Sequence, residues 1–471
     1  MLSNEKRQKL DEFIKNQNKI AEKEGKEIKL GNLNDFKITS RENYMLTGIL
    51  GIDLNTNGFK KGTFNVIYGA ESGGKSTLAL QICEGFQLTD QDKQFLYVDS
   101  EGTLDETFIS RIPNLKKENI TFLKDGVMES VFDTVKEIAK EGLVDVIIID
   151  SVDSMTTNAQ LGKSLEDNIV MDKARILSRA LSDLTDFISK YGITIFIIQQ
   201  ERINMSGYVV KQHGRSGGKA MLYYPSTVYR LAKINSQNET EKDQISDNKV
   251  VTQYVKIINE KSKISEPFKE TFTWINLDRR KKIAVKKIQE LVDYATLYGL
   301  ITKGGSWYEI VDSNGETKKV QGTNGVNKLL SENPDFYTEL KMLLYSKGLP
   351  PELFIVQFDN IKKLLEEENK NIKKIKIETA KILNKEDLIT DMDKNEFKFD
   401  EKLEPSYYFS EEEYKLAMFN LKNSSSVEED EKTEEIKETE TKETKKQTKK
   451  NKKEINEELE TKKEETESLF E

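Results

Sequence analysis

From Met45 to Ile275, short apolar runs alternate with longer segments whose apolar residues recur every three to four positions. Thr63–Tyr68, Gln94–Asp99, Val144–Asp150 and Ile193–Gln199 are rich in Val, Ile, Phe or Tyr. Val144–Ile149 and Ile193–Ile198 are almost wholly apolar, as expected of strands covered on both faces. Between the strands, Ser76–Phe86, Glu129–Lys140 and Asp172–Tyr191 read as helices. That alternation predicts an α/β fold with a largely parallel sheet. Ahead of it, Asn4–Lys23 predicts an amphipathic helix with Leu10, Phe13, Ile14 and Ile20 at helical spacing, and Glu27–Leu30 a short strand. Behind it, Arg279–Leu344 predicts a small α+β domain with Gly-rich turns at Gly304-Gly305 and Gly322–Gly325. Leu349–Asn420 has helical stretches with no expected role beyond packing on that domain. From Leu421 the chain is mostly Lys, Glu and Thr and buries too little apolar surface to offset chain entropy, so it is expected to be a disordered charged tail. The expected division is 1–44, 45–278, 279–348, 349–420 and 421–471.

Composition sharpens this picture. The 471 residues exceed one typical domain, and 36% hydrophobic against 33% charged residues agrees with part of the length lying outside a core. The net charge of −9 argues mildly against a nucleic-acid binder. From Leu421 onward, however, 12 lysines face 17 acidic residues, so over half of that charge belongs to the tail. Local basic patches must carry any DNA argument. Cys83 is the only cysteine, which excludes an intramolecular disulfide and a cysteine-rich zinc site. With neither a signal-peptide pattern nor an apolar run of bilayer length, the expected location is cytoplasmic.

The first candidate chemistry is a phosphate site. Gly69-Ala70-Glu71-Ser72-Gly73-Gly74-Lys75-Ser76, continued by Thr77, fits the P-loop pattern between a strand and an apolar helix. Its glycines let backbone N–H groups converge on phosphate oxygens, and the helix start adds partial positive charge. Lys75 is expected on the β- and γ-phosphates and Ser76 on Mg²⁺. The carboxylate completing a magnesium site is expected at Asp150, where an apolar strand ends; such an ending is common, and the loop upstream makes it specific. A further carboxylate should position the attacking water. Glu101 is the candidate, although spacing alone leaves it between this role and that of a solvated loop glutamate.

Tyr68–Thr77 (YGAESGGKST), Tyr97–Asp105 (YVDSEGTLD) and Val144–Ser154 (VDVIIIDSVDS) together resemble the phosphate loop, catalytic-glutamate loop and magnesium strand of RecA proteins, in the same order. Gln199–Ile203 (QQERI) resembles the strand end that senses the γ-phosphate, and Gly217-Gly218 the end of the second DNA loop. Lys261-Ser262-Lys263-Ile264 with Pro267-Phe268-Lys269 resembles the segment that touches ATP across a subunit boundary. Leu291-Val292-Asp293, GSWY at Gly305–Tyr308 and LSENP at Leu330–Pro334 resemble the C-terminal domain. The resemblance extends to about residue 347. It implies a RecA-type ATPase core in which Glu101 activates water and Phe108, beside Asp105, stacks on adenine. It also implies that Gln200 couples nucleotide state to the DNA loop, and that Lys261 and Lys263 reach the neighbour's ATP.

Two loops are expected to hold DNA. The first, around Leu161–Met171, contains Lys163, with Arg175 just after it. The second, Arg202–Lys219, carries Arg202, Lys211, His213, Arg215 and Lys219 and no acid, with Gly217 and Gly218 among its glycines. Basic groups there would hold phosphates without reading sequence, while Met205, Tyr208 and Val209 would wedge between or stack on bases. The chain departs from the family at Ala70 (usually proline), at Gly102 and Thr103, and at Asp172 and Lys173 (usually apolar or small). Arg279, Arg280, Lys281 and Lys282, with Lys286 and Lys287, make a basic patch where the family is glycine-rich; duplex capture is the hypothesis for it.

The resemblance implies an ATP- and Mg²⁺-dependent recombinase. Its copies join head to tail into a helical filament on single-stranded DNA, pair it with duplex and exchange strands, with DNA-stimulated hydrolysis for turnover, in recombination and repair. The alternatives are a ring-forming ATPase or helicase of the same fold, and a non-exchanging DNA-binding mediator. Single-strand-binding and loader proteins are further expected partners. Ser468-Leu469-Phe470 faintly resembles the end of a sliding-clamp-binding peptide.

Overall fold

The computed structural model describes residues 4–23, 30–31, 43–102, 104–112, 114–161, 170–203, 213–214, 218–237, 239–241, 249–277, 285–311, 317–382, 390–400 and 403–421. They fall into two compact units, one drawn from Met1–Ser40 and Ser410–Glu471, the other spanning Arg41–Phe409.

In the first unit, α1 (Asn4–Lys23) covers the expected helix, with Leu10, Phe13 and Ile20 exposed. The Asn18 side chain holds Leu30 through both its N–H (2.8 Å) and its carbonyl (2.7 Å). Of the expected strand Glu27–Leu30, only Leu30 lies within the described residues. Residues 411–421 form a second helix that exposes Leu416 and Phe419.

The second unit opens with β1 (Tyr44–Met45), α2 (Leu50–Thr56) and β2 (Phe59–Lys60). Then follow β3 (Phe64–Gly69), α3 (Lys75–Thr89), β4 (Phe95–Asp99), α4 (Glu106–Ile109), β5 (Ile120–Leu123) and α5 (Met128–Lys140). The chain continues through β6 (Val146–Asp150), α6 (Asn158–Leu161), α7 (Val170–Tyr191) and β7 (Thr194–Gln200). Next come β8 (Arg202–Ile203), β9 (His213–Gly214), α8 (Ala220–Tyr223), β10 (Thr227–Lys233), β11 (Glu239–Glu241), β12 (Lys249–Ser262) and β13 (Glu270–Asn276). The main sheet runs β11-β12-β10-β3-β7-β6-β4-β5, with β13 paired to β12. From β10 to β5 every pairing is parallel, whereas β11, β12 and β13 pair antiparallel.

Alternation decides which helix each strand residue meets. Ile67, Tyr97, Ile148, Phe196 and Ile198 share a core with Leu78, Ile82 and Phe86 of α3. Their neighbours Val66, Tyr68, Leu96, Ile147, Ile149 and Ile197 pack on α5 and α7 on the other face. Both faces are covered, so β3, β4 and β6 are buried throughout, which is why they read as continuous apolar runs.

The C-terminal part contains α9 (Lys287–Leu297), the antiparallel sheet β14 (Ile301–Gly304), β15 (Trp307–Val311) and β16 (Thr317–Gln321), α10 (Gly322–Glu332), α11 (Pro334–Gly348), α12 (Pro351–Ile382) and α13 (Asp391–Lys394). Its core is continuous with Leu50 and Leu54 of α2 and Leu88 of α3. The 32-residue helix α12 adds Leu353, Phe354, Phe358, Ile361, Leu364 and Leu365 to that core, every one buried. It also brings a carboxylate inside: Glu368 pairs with Lys287 of α9 and Lys341 of α11, each at 2.7 Å, and Lys287 reaches Glu84 of α3 at 3.0 Å. Lys287, a member of the basic patch in the sequence, is therefore turned inward, away from any surface role. Among the described residues no helix is long and apolar enough to cross a membrane.

Candidate nucleotide site and DNA-facing segments

In an open parallel sheet the loops leaving the carboxyl ends of adjacent strands form a common crevice. Here β3, β7, β6 and β4 are adjacent, so the loops after Gly69, Gln200, Asp150 and Asp99 converge. These four loops carry the phosphate pattern, the expected sensor glutamine, the expected magnesium carboxylate and Glu101.

The phosphate loop turns through left-handed residues, Ser72 at φ 53° and Gly74 at φ 83°. Gly74 also lacks room for a side chain, since a Cβ there would come within 2.2 Å of Ile275 Cδ1. Lys75 opens α3 and folds back to donate to the carbonyls of Gly69 (3.2 Å) and Ala70 (2.9 Å). Burial lowers its ammonium pKa; Asp150 and Glu101 work against that shift. Ser76 Oγ donates to Asp150 Oδ2 at 2.5 Å, and Tyr97 OH to the same oxygen at 2.7 Å. Burial raises the Asp150 pKa, while these two hydroxyls oppose it.

Glu101 follows β4 in a loop shaped by Asp99, whose carboxylate accepts from the N–H groups of Gly102 (2.8 Å) and Leu104 (3.2 Å). Gly102 has φ +67°, which explains the glycine after the glutamate. Ser151 Oγ donates to Glu101 Oε1 at 2.8 Å, and Gln200 Nε2 to the same oxygen at 3.4 Å. Gln200 is itself held by its N–H on Asp153 Oδ2 at 2.7 Å. Ser76 with Asp150 and Glu101 with Gln200 thus form two hydrogen-bonded pairs on neighbouring loops, and Lys75 interacts electrostatically with both carboxylates. Asp105 caps α4 by accepting from the Phe108 N–H at 2.6 Å, and Phe108 packs on the α3 face of the sheet.

One carboxylate and one hydroxyl in contact fit Mg²⁺, which takes one or two carboxylates, substrate phosphates and water rather than an all-protein cage. No cluster of three or more His, Cys, Asp or Glu suited to a metal occurs among the described residues. Ser76 and Asp150 would hold the ion.

Lys261 and Lys263 lie elsewhere. Lys261 is in register with Val228, and Val228 with Val66, nearer the amino ends of β10 and β3 than the phosphate loop. Lys261 Nζ donates to the carbonyls of Leu222 (2.6 Å) and Tyr223 (3.1 Å), and Lys263 Nζ to that of Tyr223 (3.3 Å), at the end of α8.

Of the DNA-loop candidates, Lys163, Met205, Tyr208, Val209, Lys211, Arg215 and Gly217 lie outside the described residues, as do Arg279, Arg280, Lys281 and Lys282. For Arg202 and His213 the backbone is described: β8 and β9 pair as a two-stranded ribbon at the base of the second loop. Gly218 has φ +64°, and Lys219 is exposed at the start of α8. Arg175 is exposed and 3.5 Å from Asp172, while Lys173 donates to the Asp153 carbonyl at 3.2 Å. The two unusual charges after the first loop therefore have partners within the chain.

Sequence reading missed Tyr97, Ser151 and Asp153, which orient those two pairs, and Lys233, whose Nζ donates to the Glu71 carbonyl at 2.7 Å. Tyr97 and Ser151 lay inside the quoted motifs and signalled themselves only by position. Lys233 had no local signal.

The family model described as RecA N-terminal domain matches residues 8–279, and that described as RecA C-terminal domain matches 289–347. The protein RecA of Mycoplasma mobile is 30% identical over 325 residues, covering 68% of this chain and 92% of that protein. That of Rhizobium etli is 29% identical over 331 residues, covering 68% and 86%, and that of Mesoplasma florum 27% over 311 residues, covering 66% and 86%. With both domain models matched in order and the nucleotide-site motifs assembled on adjacent strands, the chain belongs to the RecA family of DNA recombinases.

Proposed function

We propose that this DNA-dependent ATPase and recombinase forms ATP-dependent helical filaments on single-stranded DNA and exchanges strands with a homologous duplex. Lys75 and the loop N–H groups hold the triphosphate, Ser76 and Asp150 hold Mg²⁺, and Tyr97 fixes the Asp150 carboxylate. A Mg²⁺ ion held by Ser76 and Asp150 would supply charge neutralisation to the triphosphate. Glu101 accepts the proton of the attacking water. Ser151 and Gln200 hold one Glu101 oxygen, leaving the other for that water. Phe108 stacks on adenine beside Asp105.

The observation that carries the reading is the shared Glu101 oxygen. Gln200 ends β7 and is separated by one residue from β8, the base of the second expected DNA loop. A γ-phosphate that draws Gln200 or Glu101 therefore pulls on the strand leading into that loop. Filament formation finds support in Lys261 and Lys263. Lys261 by its register with Val228, and Lys263 by its N–H on the Ser226 carbonyl, lie near the amino ends of β10 and β3, away from this chain's own phosphate loop. On this reading they serve the ATP of an adjoining copy, a head-to-tail contact that propagates. Arg202, Lys211, His213, Arg215 and Lys219, with Lys163 and Arg175, take DNA phosphates, and Met205, Tyr208 and Val209 contact bases, within the segment closed by Gly217 and Gly218.

The test is ATP hydrolysis with and without single-stranded DNA, for the parent and Glu101→Gln. DNA should stimulate the parent, and the variant should keep ATP and DNA binding but lose about 10²- to 10⁴-fold in rate. Hydrolysis indifferent to DNA overturns the loop assignment and favours a ring-forming ATPase. A Glu101→Gln variant at parental rate removes the glutamate from its role.

A further inference from the structure

Two ammonium groups, Lys75 from the start of α3 and Lys233 from the end of β10, donate to carbonyls of the phosphate loop. We propose that Lys233 is a second phosphate-site cation, which binds the polyphosphate of the nucleotide together with Lys75. The proposal rests on the nucleotide site described above and adds to it a residue outside the P-loop pattern.

Topology brings Lys233 there. Strand β10 lies parallel to β3 with Leu231 opposite Gly69, the last residue before the loop turns. Lys233 is two residues further, on the same face as Leu231, and so overhangs the loop where β3 has ended. Its Nζ donates to the Glu71 carbonyl at 2.7 Å, and its Cε is 4.0 Å from where a Cβ on Gly73 would stand. Lys75 takes the carbonyls of Gly69 and Ala70, so three successive loop carbonyls are held by two ammonium groups. The two cations hold neighbouring carbonyls of one short loop and so repel each other. An anion bound between the charges relieves that repulsion, and the polyphosphate of a nucleotide is such an anion. Lys233 is also exposed, so its tip can leave the Glu71 carbonyl for a phosphate oxygen with no buried group left unpaired. Lys75 supplies one positive charge at the loop, and Lys233 doubles it from outside the motif.

Equilibrium binding of ATP, ADP and adenosine to the full chain, in excess Mg²⁺, tests the proposal. Lys233→Gln keeps an N–H for the Glu71 carbonyl but carries no charge, whereas Lys233→Arg keeps both. Lys233→Gln should weaken ATP roughly tenfold, the effect of one charge-assisted hydrogen bond. It should weaken ADP less, leave adenosine unchanged and leave the melting temperature unchanged, because the side chain is exposed. Lys233→Arg should stay within about twofold of the parent. Parental ATP affinity in Lys233→Gln, or equal loss for adenosine, overturns the assignment, because a role confined to loop shape survives glutamine and a general distortion is blind to phosphate number. Lys75→Met serves as the control. If it too binds ATP normally, the nucleotide site itself is misassigned, and Lys233 falls with it; if it loses ATP while Lys233→Gln does not, only Lys233 falls.

Discussion

The buried carboxylate of α12 allows a quantitative prediction. Glu368 is 2% exposed and Lys341 0%, and Lys287 divides its charge between Glu368 and Glu84. Burial alone would raise the Glu368 pKa, but Lys287 and Lys341 outweigh it and hold the carboxyl below its ordinary range. Glu368→Gln keeps the shape and removes the charge. Lys287 retains Glu84, whereas Lys341 is left fully buried with the Gly48 carbonyl at 3.1 Å and the Tyr337 hydroxyl at 3.5 Å. Removing one member of a buried pair costs about 3–5 kcal/mol, most of it from the stranded charge. Adding Lys341→Met takes that charge away and should restore all but about 1–2 kcal/mol. Urea unfolding followed by circular dichroism and by fluorescence of Trp274 and Trp307 reads both numbers. A Glu368→Gln loss below about 1 kcal/mol, or a double variant as unstable as the sum of the singles, would show that the charges are solvated and the reasoning wrong.

Three further outcomes are expected. A chain ended at Gly348 exposes the partners of Leu353, Phe354, Phe358, Ile361, Leu364 and Leu365 and strands Lys341; the loss, on the order of 10 kcal/mol, matches a whole domain's stability, so the truncated protein should bind apolar dyes and aggregate, and an unchanged urea midpoint would refute this. Burial pushes the Glu290 carboxyl up to about 7, so its contribution is complete below its ordinary value of 4.5 and is lost as pH rises through 7. Relative to Glu290→Gln, the parent should therefore lose on the order of 3 kcal/mol between pH 5 and pH 8, and parallel pH profiles would rule this out. Replacing Arg279, Arg280, Lys281 and Lys282 with glutamate should weaken duplex uptake more than single-strand binding, measured on labelled oligonucleotides of both kinds; equal loss would remove their duplex-specific role.

Much of the site was legible in the sequence because its chemistry is local. A phosphate loop needs its glycines, lysine and serine in one contiguous turn, and a buried parallel strand needs an unbroken apolar run. Gly69–Ser76 and, with that loop upstream, Asp150 could therefore be proposed from the sequence itself, Glu101 needed the family resemblance, and the strands and helices of the core fall within two or three residues of their expected limits. The family resemblance, also carried by local motifs, contributed Gln200, Lys261 and Lys263. What the pattern could not reveal was which charged residues are enclosed. Glu366-Glu367-Glu368 looks like a solvated acidic run, and Lys286-Lys287 like part of a basic patch. Only the packing of α12 on α3, α9 and α11 joins Glu368 to Lys287, 81 residues away, and Lys287 to Glu84, 203 residues away. Lys233 follows the same rule, since it meets Glu71 across 162 residues through the pairing of β10 with β3. The sequence by itself determined the elements and the contiguous motif; the tertiary structure decided the partners of each isolated charge, because burial and ion pairing depend on surfaces that only the folded chain brings together.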